Sequence, residues 1–231
     1  MFTFWRPVFT FWVMTVLIAC VSYTLPPSPI PSESLYSQKD CTEVVDDKPK
    51  LFPFRGTGET VIAWIQDQYD VTQTQIKGGP SANGRGYYYY WRVNTRKYAV
   101  TRRIDAQESA MVRMRWENFP PTLADILRCL GEPPLYRAYH FSNPETTWTY
   151  LELWYPQQGI MVTVYNTDKV ATLRIDYPIA YVSYVQPGSP EELIPRLFRD
   201  VARGTQRYFE ILRGLRSWPG DITKITIDEK G

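Results

Sequence analysis

The alternation of apolar and polar positions predicts a body in which helices are followed by antiparallel strands. Residues 61–69 repeat apolar side chains at helical spacing. A turn-rich break follows at 77–86, and strand-like runs then occupy 87–93, 97–104 and 111–118. In the last run apolar residues alternate with Arg113 and Arg115, a pattern typical of a sheet with one buried and one solvated face.

The second half of the body repeats this order. Thr122 and Asp125 form a capping box at the start of a helix that ends at Gly131. Strand patterns then occupy 135–141, 147–156, 159–166 and 179–185. Because helices precede antiparallel meanders, the sequence predicts an α+β fold with two tandem helix-strand units, residues 51–120 and 121–188.

The last segment, residues 189–231, predicts one long amphipathic helix, kinked or restarted near Pro195 and loosened at Gly204, and a short tail. Ser189 and Glu192 mark a strong helix start, and apolar residues recur at helical spacing to about residue 216. Residues 221–228 alternate like an edge strand. The polar face of the helix carries a basic stripe that would either contact anionic lipid or simply face solvent. Its members are Arg196, Arg199, Arg203 and Arg207.

The N-terminus carries the pattern of an export signal. A single basic residue, Arg6, precedes an apolar run from Val8 to Ala19 that contains no charge. Proline, serine and charged residues then dominate residues 21–50, which predicts an extended linker outside the cytoplasm. We therefore expect residues 1–20 to be a signal peptide or a membrane anchor, and the body to lie beyond the cytoplasm.

The apolar run ends in Leu17-Ile18-Ala19-Cys20, which resembles the lipobox of bacterial lipoproteins. The resemblance implies that signal peptidase recognises Leu17 and Ala19, and that Cys20 carries palmitate or a similar lipid. The protein would then be lipid-anchored to the cell membrane, because two or three acyl chains hold a protein firmly to a bilayer. Two other interpretations stay open. Residues 8–25 form a segment of about 18 residues that could span the hydrocarbon as an uncleaved anchor, or the protein is secreted.

Two further motifs carry a resemblance in the body of the chain. They are LGEPP at Leu130–Pro134 and YPQQG at Tyr155–Gly159. With the lipobox and the linker they resemble the small bacterial envelope lipoproteins whose helix-plus-antiparallel-sheet domain is similar to the outer-membrane-assembly lipoproteins and the β-lactamase-inhibitor-like proteins. The resemblance covers residues 121–166, with 57–118 as a divergent copy. It implies a binding or scaffolding module whose partner is a protein or an envelope component.

Aromatic residues supply the candidate binding surface. The chain has 17 tyrosines and 8 tryptophans, and five rings follow one another from Tyr87 to Trp91. Alternate rings of a strand face opposite sides, so some must be exposed unless helices cover both faces of the sheet. Exposed tyrosine and tryptophan are good anchors for a ligand. The candidates are Tyr88, Tyr90, Trp91 and Trp154.

Residues with catalytic or metal-binding chemistry are few, so we predict no catalytic residue, metal or cofactor. His140 is the single histidine and is expected to be a packed strand residue. Glu152 is expected to point to solvent from the wet face of a sheet. The alternative function is a carbohydrate hydrolase outside the cytoplasm that works through two carboxylates. The net charge of +2 is too small to indicate nucleic acid as a partner, and no stripe of lysines alternates with aromatic residues, so we expect none.

The cysteines other than Cys20 are Cys41 and Cys129. An oxidising compartment permits them to form a disulfide. Alternatively, Cys129 is a small buried apolar residue on one side of its helix.

Metabolic labelling with a radioactive fatty acid tests the anchor. We expect the wild-type chain to be labelled and Cys20→Ala to be unlabelled, because the acyl chains attach at that thiol. A wild-type chain without label would contradict lipidation and favour the transmembrane interpretation.

Overall fold

One ten-stranded sheet organises the part of the chain that the structure describes. The structure is a computed structural model, and it describes residues 40–45, 58–80, 86–103, 111–142, 145–167, 171–198 and 200–230. The predictions for Leu17, Ala19, Cys20 and Arg199 lie outside these residues.

The described residues form α-helices and β-strands with the following bounds. The helices are α1 Cys41–Val44, α2 Gly58–Tyr69, α3 Leu123–Leu130, α4 Pro190–Leu197 and α5 Gln206–Gly214. The strands are β1 Lys77–Pro80, β2 Gly86–Val93, β3 Arg96–Arg103, β4 Met111–Trp116, β5 Leu135–Ser142, β6 Thr147–Tyr155, β7 Ile160–Asn166, β8 Ile179–Tyr184, β9 Arg216–Ser217 and β10 Asp228–Lys230.

Two four-stranded meanders meet at the centre of the sheet, and the short strands β9 and β10 both pair with β5. Helix α2 precedes β1–β4, helix α3 precedes β5–β8, and the strand order is β1-β2-β3-β4-β8-β7-β6-β5-β10. Strands β4 and β8 pair antiparallel, with Arg113 opposite Ser183. The α+β class is therefore confirmed, and the helix-then-meander order occurs twice.

The edge strand β1 lies inside the segment predicted as a turn-rich break. It pairs antiparallel with β2, so that Gly78 faces Tyr89. Gly78 has a φ of 114° and comes so close to the Tyr88 carbonyl that a Cβ atom there would collide with it. The sequence pattern missed this strand because its Lys-Gly-Gly-Pro residues pair through the backbone and carry almost no side-chain signal.

The predicted long C-terminal helix is wrong, because two short helices replace it. Helix α4 contains Pro195 and ends at Leu197, and Phe198 has extended backbone angles. Gly204 then adopts a φ of 78°, and Thr205 caps α5 by accepting a hydrogen bond from the backbone of Tyr208. The apolar residues keep a helical period on both sides of this break, which is why the pattern reads as continuous.

Helices α2 and α3 cover one face of the sheet. In the first unit the ring of Tyr69 at the end of α2 lies 4.9 Å from that of Trp91 and 4.8 Å from that of Tyr98. In the second unit the hydroxyl of Tyr155 donates a hydrogen bond of 2.8 Å to the carbonyl of Gly131, directly after α3. Both units therefore bury the same face of the continuous sheet in one apolar core.

Helices α4 and α5 cover the opposite face, but only over half of its width. Trp154 of β6 and Met161 of β7 join the buried leucines of α4 in a second cluster, and the Trp154 ring lies 6.1 Å from that of Phe198. Among the described residues, β1, β2 and β3 contribute nothing to this cluster. Part of the second unit is thus covered on both faces. Among the described residues, the open area of the second face extends over β2, β3 and β4 and reaches β8 and the end of β7.

Helix α1 joins the beginning of the described body to both units. Cys41 forms a disulfide with Cys129 of α3, and their Cα atoms are 5.3 Å apart. The guanidinium of Arg96 donates a 2.7 Å hydrogen bond to the Thr42 carbonyl, and the indole N–H of Trp116 donates one of 3.3 Å to the backbone carbonyl of Glu43. The disulfide and these bonds therefore hold α1 between α3 and the end of the first meander.

Removing the disulfide is expected to lower the free energy of unfolding by about 4–5 kcal/mol, since it closes a loop between residues 88 positions apart. The test is urea denaturation of the Cys41→Ala, Cys129→Ala double variant. Wild-type protein under reducing conditions should unfold at the same urea concentration as the variant. An unchanged midpoint in the variant would contradict a stabilising role.

Candidate functional site

A groove occupies the open half of the sheet face, over β2, β3, β4, β8 and the end of β7. Its volume is about 1120 Å³. The side chains that line it are mainly basic or aromatic. The basic residues are Lys77, Arg92, Lys97, Arg113 and Arg115, and the tyrosines include Tyr88, Tyr90, Tyr165 and Tyr181. No aspartate or glutamate within the described residues lines it.

Three cations lie side by side across one end of the groove. Strand register places Arg92 of β2 opposite Lys97 of β3, and Lys97 opposite Arg115 of β4. Like charges directly opposite each other destabilise a sheet. One carboxylate offsets part of this repulsion, because Glu117 pairs with both Arg92 and Lys97. The hydrogen bond from Lys97 holds the pKa of Glu117 below its usual range, so this carboxylate is ionised at neutral pH.

The next row across the same strands forms the floor and walls of the groove. Tyr90, Ala99 and Arg113 are register neighbours on β2, β3 and β4. The small side chain of Ala99 leaves a depression between its larger neighbours. On one side the Tyr88 and Tyr90 rings, 44% and 47% exposed, lie 5.9 Å apart. On the other side the Arg113 guanidinium lies over the Tyr181 ring at 4.2 Å, a distance typical of a cation–π contact.

A ladder of aromatic rings extends from the groove across β7, β6 and β5. The rings of Tyr165 and Tyr150 are 5.8 Å apart, and those of Tyr150 and Tyr139 are 5.1 Å apart. Burial raises the pKa of Tyr150 and of Tyr139, so both phenols stay protonated well above neutral pH. The ladder therefore places neutral aromatic rings beside the cationic end of the groove.

A buried ion pair lies where the open face meets the covered one. Arg137 donates two hydrogen bonds of 2.7 and 2.9 Å to Glu152 on the neighbouring strand, and both side chains are buried. The Phe198 ring lies 5.3 Å from the Arg137 guanidinium. The prediction that Glu152 points to solvent is wrong: it does lie on the face away from α2 and α3, but Arg137 and the C-terminal helices cover it.

Two of the four predicted aromatic anchors expose their rings in the groove, and two do not. Tyr88 and Tyr90 are exposed there. Trp91 is 2% exposed, because alternation turns its indole to the covered face, where it packs against Tyr69 and Tyr98. Trp154 is fully buried beneath Phe198. The prediction of these two tryptophans as a binding surface is therefore wrong.

The basic residues of the groove carry no local signal that marks them as part of a site. The alternation of Arg113 and Arg115 with apolar residues indicates a solvated face. Their alignment with Arg92 and Lys97 does not follow from the sequence pattern, because it depends on the pairing register of three strands. Tyr165 and Tyr181 were missed for the same reason.

The structure divides the predicted basic stripe between different elements. Arg196 of α4 donates hydrogen bonds to the carbonyls of Gln186 and Pro187, 3.0 and 3.3 Å away. Arg203 lies in the connection after α4, and Arg207 is exposed on α5. The prediction that these arginines form a stripe on one helix is therefore wrong, because the chain forms two helices here, α4 and α5.

His140 is a packed strand residue, as predicted. It is buried, and its Nδ1 lies 2.8 Å from the hydroxyl of Thr149 on the next strand. Within the described ranges, no group of three or more histidine, cysteine or acidic residues is placed to hold a metal ion. None of the helices described has the length and apolar character needed to cross a membrane.

Comparison with known proteins gives one weak structural likeness. No family model matches the chain, and no curated protein matches it. The chain is similar to a cysteine-rich secretory protein from Staphylococcus aureus subsp. aureus Mu50, with 12% identity and a TM-score of 0.29. The likeness covers 58% of this chain and 47% of the other, so this chain spans less than half of that protein. At this TM-score the likeness carries no argument about fold or function.

Glu152→Gln is expected to lower the free energy of unfolding by about 3–5 kcal/mol, because it leaves the Arg137 charge buried without its partner. The double variant Arg137→Met, Glu152→Leu should regain most of this loss. The measurement is urea denaturation, with Asp176→Asn as a control that breaks an exposed pair with Arg174 and changes stability by less than about 1 kcal/mol. If Glu152→Gln unfolded at the same urea concentration as the wild-type protein, the result would contradict a stabilising role for the Arg137–Glu152 ion pair.

Proposed function

We propose that this protein is a membrane-anchored lipoprotein outside the cytoplasm that acts as a binding module of the cell envelope. The observation that carries the proposal is the uncovered half of the sheet face, with exposed Tyr88 and Tyr90 beside a row of cations. Solvated aromatic and arginine side chains are the residue types that dominate binding surfaces. An open, ring-rich face of this size favours an interaction surface.

The anchor in this proposal is the lipid on Cys20. The segment after it, residues 21–39, serves as the linker that separates the membrane from the binding body. The predicted linker of residues 21–50 is too long, because α1 at Cys41–Val44 is bonded to the body by the disulfide with Cys129. The support comes from the lipobox resemblance and from the lack of apolar periodicity in the linker. The disulfide between Cys41 and Cys129 agrees with an oxidising compartment, where such bonds persist.

The alternative function, a carbohydrate hydrolase with two carboxylates, has less support. Such an enzyme needs two acids that face the same substrate. Glu152 is bound by two hydrogen bonds from Arg137, and Glu117 is engaged by Arg92 and Lys97. No other acid of the described residues faces the groove. A membrane-contacting role for the basic stripe also has less support, because Arg196 donates a hydrogen bond to the Gln186 carbonyl in the loop before α4.

Site-specific photo-crosslinking in the native envelope tests the binding surface. A photoreactive amino acid replaces Tyr90 in the full-length, anchored chain, and the matched control replaces Phe209, which is equally exposed at 48% on α5. We expect at least five times more adduct at the Tyr90 position, and a loss of most of it when Tyr88→Ala is added, because the two rings form one side of the groove.

Equal yields at the two positions, or a Tyr90 adduct insensitive to Tyr88→Ala, would count against the groove as the binding surface. Release of soluble sugars from envelope polysaccharide by the purified full-length chain would favour the hydrolase instead.

A further inference from the structure

We propose that the groove binds an acidic polysaccharide, a sugar chain that carries carboxylate or phosphate groups. This inference rests on the proposed binding function and names the chemistry of its ligand. Three observations carry it: the charge of the groove, the Glu117 carboxylate that pairs with two of its cations, and the arrangement of its tyrosines.

The charge of the groove is far from that of the chain as a whole. The sequence has 26 basic and 24 acidic residues, a nearly even balance. Five of the basic residues line this one surface, without an acid among the described lining residues. Oppositely charged surfaces favour association and suppress partners of the wrong sign. A neutral ligand would not use this concentration of positive charge, so charge complementarity favours an anion.

Glu117 shows which anion the cation row accommodates. Its carboxylate oxygen lies 2.6 Å from the Lys97 ammonium and also contacts Arg92. The row crosses three strands and is therefore about 10 Å long, given a spacing of about 4.8 Å between strands. Glu117 pairs with Arg92 at one end and with Lys97 in the middle, while Arg115 at the other end is exposed. The row therefore has room for a further carboxylate or phosphate group at Arg115, and Glu117 competes with a ligand for the other two cations.

The tyrosines favour a sugar as the carrier of these anionic groups. The Tyr88 and Tyr90 rings follow each other along β2, and Tyr165 lies exposed on the opposite side of the groove. The face of an aromatic ring is negative and attracts the polarised C–H groups of a pyranose ring. Each phenol can also donate or accept a hydrogen bond with a sugar hydroxyl. A sugar chain in the groove would thus contact rings along its length and cations at one end.

Other anionic polymers fit less well. A bilayer presents a flat layer of headgroups that does not reach Ala99 at the floor of a concave groove. A single-stranded nucleic acid combines phosphates with stackable bases, but the proposed location outside the cytoplasm favours the acidic polysaccharides of an envelope. Nucleic acid is therefore one of the outcomes of the experiment.

The experiment measures binding of defined probes to the full-length chain in lipid nanodiscs by calorimetry. The probes are hexagalacturonate, a phosphorylated mannan oligosaccharide, neutral maltohexaose and a ten-residue oligothymidylate. We expect an acidic sugar to bind at least tenfold more tightly than maltohexaose, and the affinity to fall as salt is raised because exposed charges are screened.

Three variants then test the cation row. Arg92→Gln combined with Arg115→Gln should weaken acidic-sugar binding at least tenfold. Glu117→Gln should strengthen it two- to fivefold, because the competing carboxylate is removed without a change in shape. Arg207→Gln, which removes an exposed arginine of α5 outside the groove, should leave the affinity unchanged.

The failures of the two proposals are distinguishable. Equal binding of acidic and neutral sugars, or tighter binding of oligothymidylate, would overturn the acidic-polysaccharide assignment while the groove stays a binding surface. If no probe binds but the Tyr90 crosslink in the envelope persists, the acidic-polysaccharide assignment is likewise overturned and the groove stays a binding surface. Loss of both probe binding and the Tyr90 crosslink would overturn the binding function as well.

Discussion

A continuous sheet has two faces, and the helices that the structure describes cover one face and about half of the other. Strand alternation sends neighbouring side chains to opposite faces, so each strand needs apolar cover wherever its side chains are apolar. Helices α2 and α3 supply that cover on one face of both units, and α4 and α5 supply it on part of the other face of the second unit. The open half carries tyrosines and cations, and this difference in cover creates the groove.

The face of the sheet that lies away from α2 and α3 carries charged side chains in two different environments, one buried and one exposed. Under the C-terminal helices, Arg137 and Glu152 form a pair that is buried and fully hydrogen-bonded to each other, as a desolvated charge requires. On the open half, Arg92, Lys97 and Arg115 stand beside one another with Glu117 as their neighbour. Solvent reduces their repulsion enough for the sheet to tolerate it, and it leaves them accessible to an anion.

The sequence by itself determined the elements that repeat over short distances. The alternation at 87–93, 97–104 and 111–118 located β2, β3 and β4 to within a few residues, and the capping box at Thr122 located the start of α3. These signals are local, because side-chain period and cap chemistry act within a few positions. These local signals were also enough to predict the α+β class and to predict that some of the rings between Tyr87 and Trp91 are exposed.

Only the tertiary structure decided which rings and charges work together. Tyr90 and Trp91 are neighbours in sequence, yet one is exposed and the other buried, because α2 covers a single face. Glu152 and Arg92 both lie on the opposite face, yet one is sealed beneath the C-terminal layer and the other is exposed. Cover by helices and the register of paired strands are long-range properties, so no local pattern of residues determines them. The row of Arg92, Lys97 and Arg115 exists only once three strands are aligned.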